Sequence, residues 1–191
     1  MADIVILDGV RTAIGTFGGA LAGTSPIDLG SIVAKEAIAR SGIEPEQVEN
    51  VVFGHVINTE PRDMYLSRAA SIAAGVSEET PAMNVNRLCG SGLQAIVSSA
   101  QSLMAGDASF ALAGGSESMS RSPYIVPTIR WGQKMGDAGA TDMMLGALNC
   151  PFGTGHMGVT AENLAKQYQI SREVRNYVFV CVCVWRRLVS V

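Results

Sequence analysis

One segment of this chain brings together residue types that can do covalent chemistry. Asn84-Val85-Asn86-Arg87-Leu88-Cys89-Gly90-Ser91-Gly92-Leu93-Gln94 passes from a strand-like pattern to a helix-like one, and Cys89 stands at the junction. The first-turn amides of a helix have no intrahelical partner and carry partial positive charge. A thiol placed there is biased toward thiolate, its nucleophilic form. The same amides can donate to an oxyanion once that thiolate has attacked a carbonyl. Gly90 and Gly92 leave room beside the sulfur for a bulky acyl group. A free cysteine is also among the most buried residue types and often serves only as a small hydrophobe. The residues alone leave both readings open.

The elements that must position Cys89 follow from pattern. Ile4 to Val10 reads as a buried strand, and Arg11 to Ser25, rich in Gly and Thr, as a loop. Ser25 can cap a helix with Pro26 in its first turn, and Leu29, Ile32, Val33 and Ala37 share one helical face before Gly42. Val48 to Asn58 reads as a second strand, Met64 to Ala74 as a helix closed by Gly75, and Ala82 to Asn86 as a third strand. A helix from about Cys89 to Ala105 carries an apolar stripe of Leu93, Ile96, Val97, Ala100, Leu103 and Met104, ended by Gly106. Phe110 to Ala113 is the fourth strand. This alternation predicts an α/β fold, βαβαβαβ in order, with parallel strands joined by helical crossovers. After Ser118 the character changes to a Gly- and Met-rich insertion, residues 119–175, expected to form a partial loop lobe. Residues 176–191 form an atypical apolar tail.

Composition narrows the class. The chain has 191 residues, 48% of them hydrophobic, 16% charged and 21 glycine, which suits a buried core with many tight turns. A net charge of −3 argues against nucleic acid as a partner. The start lacks the cationic segment of a secretory signal, and no apolar run reaches the roughly 18 residues of a membrane span. No membrane partner is expected. Four irregularly spaced cysteines make a disulfide framework improbable and a reducing cytoplasm the default. Cys181 and Cys183 lack a histidine or third cysteine nearby to complete a zinc shell, so no metal is expected. On pattern alone, His156 in its Gly-rich loop is a plain exposed histidine. His55 lies inside the second strand pattern and reads as structural.

Four motifs in order resemble those of the thiolase family. Asn86 to Ile96 is similar to its acyl-cysteine motif, and Arg11 to Gly19 to its opening loop. Gly114-Gly115-Ser116-Glu117-Ser118-Met119-Ser120 is similar to the segment after its fourth strand, and Gly155 to Glu162 to the part of its loop lobe that reaches the acyl pocket. The likeness covers about residues 1 to 173 and is nearest the bacterial acetyl-CoA acetyltransferase branch. It implies the N-terminal half of an αβαβα sandwich (residues 1–118) and ping-pong acyl transfer through a Cys89 thioester, forming or cleaving a 3-ketoacyl-CoA. It also implies a substrate-binding role for His156 and Met157. Acyl-CoA and CoA are then substrates, with no separate cofactor, and homo-oligomers are expected.

The resemblance also implies groups that these residues do not contain. A histidine followed by proline, an Asn-Glu-Ala-Phe segment and a late glycine-flanked cysteine belong to the family's second half, and here the two histidines precede Val56 and Met157. From about Val174 the residues depart from the family pattern, as a truncation or shifted reading frame would produce. A ketoacyl synthase relative and a non-catalytic truncated product are the competing readings. The run Tyr177 to Val184 joins β-branched and aromatic residues without charge or proline, the composition of an aggregation-prone strand. Removing residues 176–191 is expected to raise soluble yield on expression; an unchanged or lower yield would show that the segment contributes to folding.

Overall fold

A computed structural model describes residues 3–177. The tail beyond Tyr177 and the pair Cys181 and Cys183 lie outside the described residues. The elements run α1 (Pro26–Ser41), β1 (Asn50–Gly54), α2 (Leu66–Ala73), β2 (Ala82–Val85), α3 (Ser91–Ala105) and β3 (Ala111–Gly115). Smaller elements follow: β4 (Tyr124–Ile125), β5 (Thr141–Asp142), α4 (Met143–Leu148), β6 (Asn149–Cys150), β7 (Gly155–His156) and α5 (Met157–Gln167). Two compact units divide between Ala147 and Leu148, whereas the sequence pattern changes after Ser118. Among the described residues no helix is long and apolar enough to cross a membrane.

The first unit is built on a parallel three-stranded sheet in the order β2-β1-β3. Val51, Val52, Phe53 and Gly54 are all buried, as a central parallel strand covered on both faces requires. Val51 and Phe53 join Ile27, Ala34, Ile38 and Leu66, on α1 and α2, in one apolar cluster. Gly54 instead meets the start of α3, where a Cβ on Gly54 would lie 2.6 Å from the Ser91 carbonyl carbon and 2.7 Å from the Gly92 nitrogen. α3 therefore covers the opposite face of β1. The pair Gly114-Gly115 does similar work on β3: a Cβ at Gly114 would come within 3.1 Å of the Phe53 ring, and one at Gly115 within 3.1 Å of the Gly54 oxygen.

The caps agree with the pattern. The Ser25 side chain accepts from the Asp28 amide, and Gly42 and Gly106 end α1 and α3 in the left-handed region. Three expectations are corrected. Ile4 to Val10 forms no strand; Val5 and Ile6 are 69% and 78% exposed, because no neighbouring strand is available to them among the described residues. On α1 the buried line is Ile27, Gly30, Ala34 and Ile38, while Ile32, which apolar spacing groups with Leu29, Val33 and Ala37, is exposed. On α3 the buried line is Ser91, Ala95 and Ser99, small residues that allow close approach to β1. The apolar stripe of Leu93, Ile96, Val97 and Met104 is exposed instead, with no covering element among the described residues. α3 also begins at Ser91, two residues after Cys89.

Gly54→Ala is expected to cost about 1–3 kcal/mol through overpacking against α3, or to abolish folding. Urea unfolding followed by circular dichroism measures it, and an unchanged midpoint would contradict the close approach described.

Candidate functional site

Cys89 is exposed and precedes α3 by two residues. The bend that delivers it is held by side chains of its own loop. The Leu88 amide donates to Asn86 Oδ1 at 3.0 Å, and the Arg87 amide donates to Ser91 Oγ at 2.9 Å. Ser91 Oγ in turn donates to the Leu88 carbonyl at 2.5 Å. Leu88 has φ 49°, one of two non-glycine residues with positive φ among the described residues. That conformation costs an L-residue roughly 1–2 kcal/mol. The Gly90 and Ser91 amides turn back to the Arg87 and Leu88 carbonyls, and the Gln94 amide to the Gly90 carbonyl. No hydrogen bond from the amides of Cys89, Gly92 or Leu93 is formed among the described residues. A thiol beside unspent amides at a helix start can attack a carbonyl and leave the resulting oxyanion within reach of donors.

The ends of β1 and β2 are fixed by polar side chains, of which His55 and Asp63 are buried. Asn84 Oδ1 accepts from the Ser67 amide at 2.8 Å, and Asn84 Nδ2 donates to the Asp63 and Met64 carbonyls, both at 3.1 Å. This locks the end of β2 to the entry of α2. His55 is buried, and its Nδ1 lies 2.8 Å from the Ser116 carbonyl, so Nδ1 carries a hydrogen and donates. Its ring stands between two carboxylates, with Nε2 3.9 Å from Asp63 and Nδ1 3.5 Å from Glu117. Glu117 accepts from the Val56 and Ile57 amides at 2.9 and 3.1 Å. Asp63 Oδ2 accepts from the Thr59 amide and hydroxyl, each at 2.7 Å. An open cleft of about 290 Å³ at the ends of β1 and β2 is lined by residues including His55, Asn58, Asn84 and Asn86; Cys89 is not among the lining residues.

His156 and Met157 belong to the second unit. His156 ends β7 and caps α5, its Nδ1 accepting from the Gly158 amide at 3.0 Å, which puts the hydrogen of the neutral ring on Nε2. Met157 opens α5 and is 42% exposed. The structure thus puts Cys89 in one compact unit and the other two site candidates, adjacent to each other, in the second. Among the described residues no group of three or more His, Cys, Asp or Glu could hold a metal ion.

The sequence reading missed two features. The clamp formed by Asn86 and Ser91 is one; its signal was a polar residue on either side of Cys89. The other is Cys150. Its thiol is pushed below the ordinary thiol range by the Thr154 hydroxyl first, then by the backbone amides of Phe152 and Thr154. The signal there is the turn Cys150-Pro151-Phe152-Gly153-Thr154, with Gly153 at φ 85°.

Comparison with known proteins adds a second kind of observation. Residues 4–179 match the family described as "Thiolase, N-terminal domain". The chain is 60% identical over 170 residues to the beta-ketothiolase BktB of Cupriavidus necator, covering 89% of this chain and 43% of that protein. It is 42% identical over 178 residues to a cytosolic acetyl-CoA acetyltransferase of Rattus norvegicus, covering 93% of this chain and 44% of that one. The crystal structure of the Bacillus anthracis acetyl-CoA acetyltransferase superposes with a TM-score of 0.82 at 41% identity, over 88% of this chain and 43% of that chain. This chain therefore spans less than half the length of the relatives it matches.

Because its hydrogen-bond donors favour the thiolate, Cys150 is expected to be alkylated by iodoacetamide at lower pH than an ordinary thiol. Thr154→Val removes the largest of those contributions and should move the pH midpoint of Cys150 labelling upward. Peptide mass spectrometry over a pH series reads this, and an unmoved midpoint would contradict the assignment.

Proposed function

Since the chain belongs to the thiolase family, we propose that it carries the acyl-accepting half of a thiolase-type C-acyltransferase, with Cys89 as the nucleophile. The observation that carries this reading is the exposed Cys89 thiol at the start of α3, beside the unspent amides of Cys89, Gly92 and Leu93. In the first half-reaction the Cys89 thiolate attacks the thioester carbonyl of an acyl-CoA. The oxyanion collapses, the bond from the acyl carbon to the CoA sulfur breaks, and CoA leaves as a thiolate that takes a proton. In the second, the α-carbanion of acetyl-CoA attacks the Cys89 thioester, a carbon–carbon bond forms, and the Cys89 thiolate is released with a 3-ketoacyl-CoA. Run backward, CoA cleaves the 3-ketoacyl-CoA. Dividing one transfer into two displacements lowers each barrier. CoA thioesters are the small-molecule partners this chemistry needs, and it calls for no further cofactor. His156 and Met157 would line the acyl and pantetheine path. A cytoplasmic setting would match that of the cytosolic rat relative.

These 191 residues hold no His-Pro pair, no Asn-Glu-Ala-Phe segment and no glycine-flanked late cysteine. Cys89 then lacks the activating histidine that the family resemblance implies. One missing oxyanion donor commonly costs about 10²–10³ in rate, and a missing acid/base about 10²–10⁴. Such groups act as a unit, so the losses do not multiply. The exposed α3 stripe favours a second reading for the isolated chain, a product that folds incompletely and does not catalyse.

The isolated chain is expected to accept one acetyl group from acetyl-CoA at Cys89, read by intact and peptide mass, and Cys89→Ala should not. It is also expected to show no sustained loss of acetoacetyl-CoA enolate absorbance with CoA, with a cooperative circular dichroism melt as the folding control. An acetyl group found on Cys150 instead would sink Cys89 as the nucleophile. Turnover near that of a full-length thiolase, abolished by Cys89→Ala, would refute the expected inactivity.

A further inference from the structure

We propose that Ser91 is a positioning residue for Cys89, a role that deepens the nucleophile reading and rests on it. Ser91 is 5% exposed, and its hydroxyl is used in both directions. It accepts the Arg87 amide at 2.9 Å and donates to the Leu88 carbonyl at 2.5 Å, while its own amide donates to that carbonyl at 3.0 Å. One buried side chain therefore holds the two peptide groups that lead into Cys89. Leu88, between those groups, sits at φ 49°, where a leucine does not stay without external contacts. Released from Ser91, Leu88 relaxes toward negative φ, and the change swings Cys89 away from the unspent amides of α3. Ser91 itself cannot shift to compensate, because its main chain rests on Gly54 of β1. The buried contacts of Ser91 thus transmit the sheet's position to the sulfur. Arg87 adds a side-chain hydrogen bond to Gln94, one turn into α3, which ties the outer side of the same bend.

The test uses the full 191-residue chain, with Cys150 in the second unit as an internal reference. Ser91→Ala is labelled with limiting iodoacetamide, and separately incubated with acetyl-CoA, and both cysteines are quantified by peptide mass spectrometry. The expected result is a fall of about tenfold or more in both modifications at Cys89, since small misplacements of a reacting group are costly. The Cys150 alkylation rate should stay unchanged. Adding Leu88→Gly to Ser91→Ala should restore most of the Cys89 rate, because glycine holds a positive φ unaided. A merely structural role for Ser91 would not give that rescue. Cys89 rates unchanged in Ser91→Ala, or rates that fall equally at Cys150, would overturn the proposal. If Ser91→Ala lacks a cooperative melt, the isosteric pair Ser91→Thr and Ser91→Val replaces it; only the first keeps a hydroxyl, and equal Cys89 rates in the pair would overturn the proposal. If wild-type Cys89 accepts no acetyl group, the nucleophile reading fails, and the alkylation arm still decides the role of Ser91.

Discussion

Backbone contact between β1 and α3 at Gly54 is the constraint on which the rest of the first unit depends. The carbonyl carbon of Ser91 would lie 2.6 Å from a Cβ at that position, a distance no side chain tolerates. Everything near the bend is consistent with that approach. The buried line of α3 is restricted to Ser91, Ala95 and Ser99 so that the helix can lie close. β3 meets β1 through Gly114 and Gly115 for the same reason, which leaves the aromatic ring of Phe53 to fill the opposite side with α1 and α2. The position of Cys89 is therefore tied to the sheet through Ser91, whose hydroxyl also holds the loop that carries the cysteine.

The polar groups at the strand ends do a second job that apolar packing cannot. Where β1 ends, the chain turns away from the sheet and its amides lose their ladder partners. Glu117 takes two of them, Asp63 receives the Thr59 and Glu60 amides further on, and His55 bridges to Ser116 beyond β3. The buried carboxylate of Asp63 is tolerated here because backbone donors reach it, while Glu117 meets its two amides from an exposed position. The motif Gly114 to Ser120 thus combines two functions: its glycines permit the strand contact, and its Glu117 and Ser120 satisfy amides of neighbouring loops, including that of Gly18.

Much of this order was legible in the residues. The caps Ser25, Gly42 and Gly106 and the three paired strands sit within a few residues of where pattern puts them, because local backbone chemistry decides them. Cys89 at a strand-to-helix junction was legible for the same reason. The buried faces were not. Apolar spacing on α3 reports every face that wants to leave water, and it does not say which one meets the sheet; close approach gave that place to serine and alanine, and Leu93 and Val97 stayed out. The segment Ile4 to Val10 has a strand's composition, but a strand exists only through its neighbour, a property no single segment encodes. The positive φ of Leu88 was hidden because that conformation leaves no mark in residue type when a leucine adopts it.

The exposed stripe on α3 also bears on biosynthesis. In relatives more than twice as long, the counterpart of this unit leaves the ribosome while over half of the polypeptide is still unmade. At about 5–20 residues per second the remainder takes on the order of tens of seconds to synthesise. Throughout that interval a folded sheet would present to water whatever residues stand where this chain has Leu93, Ile96, Val97 and Met104. The rate of translation beyond this region then sets how long that helix face stays uncovered.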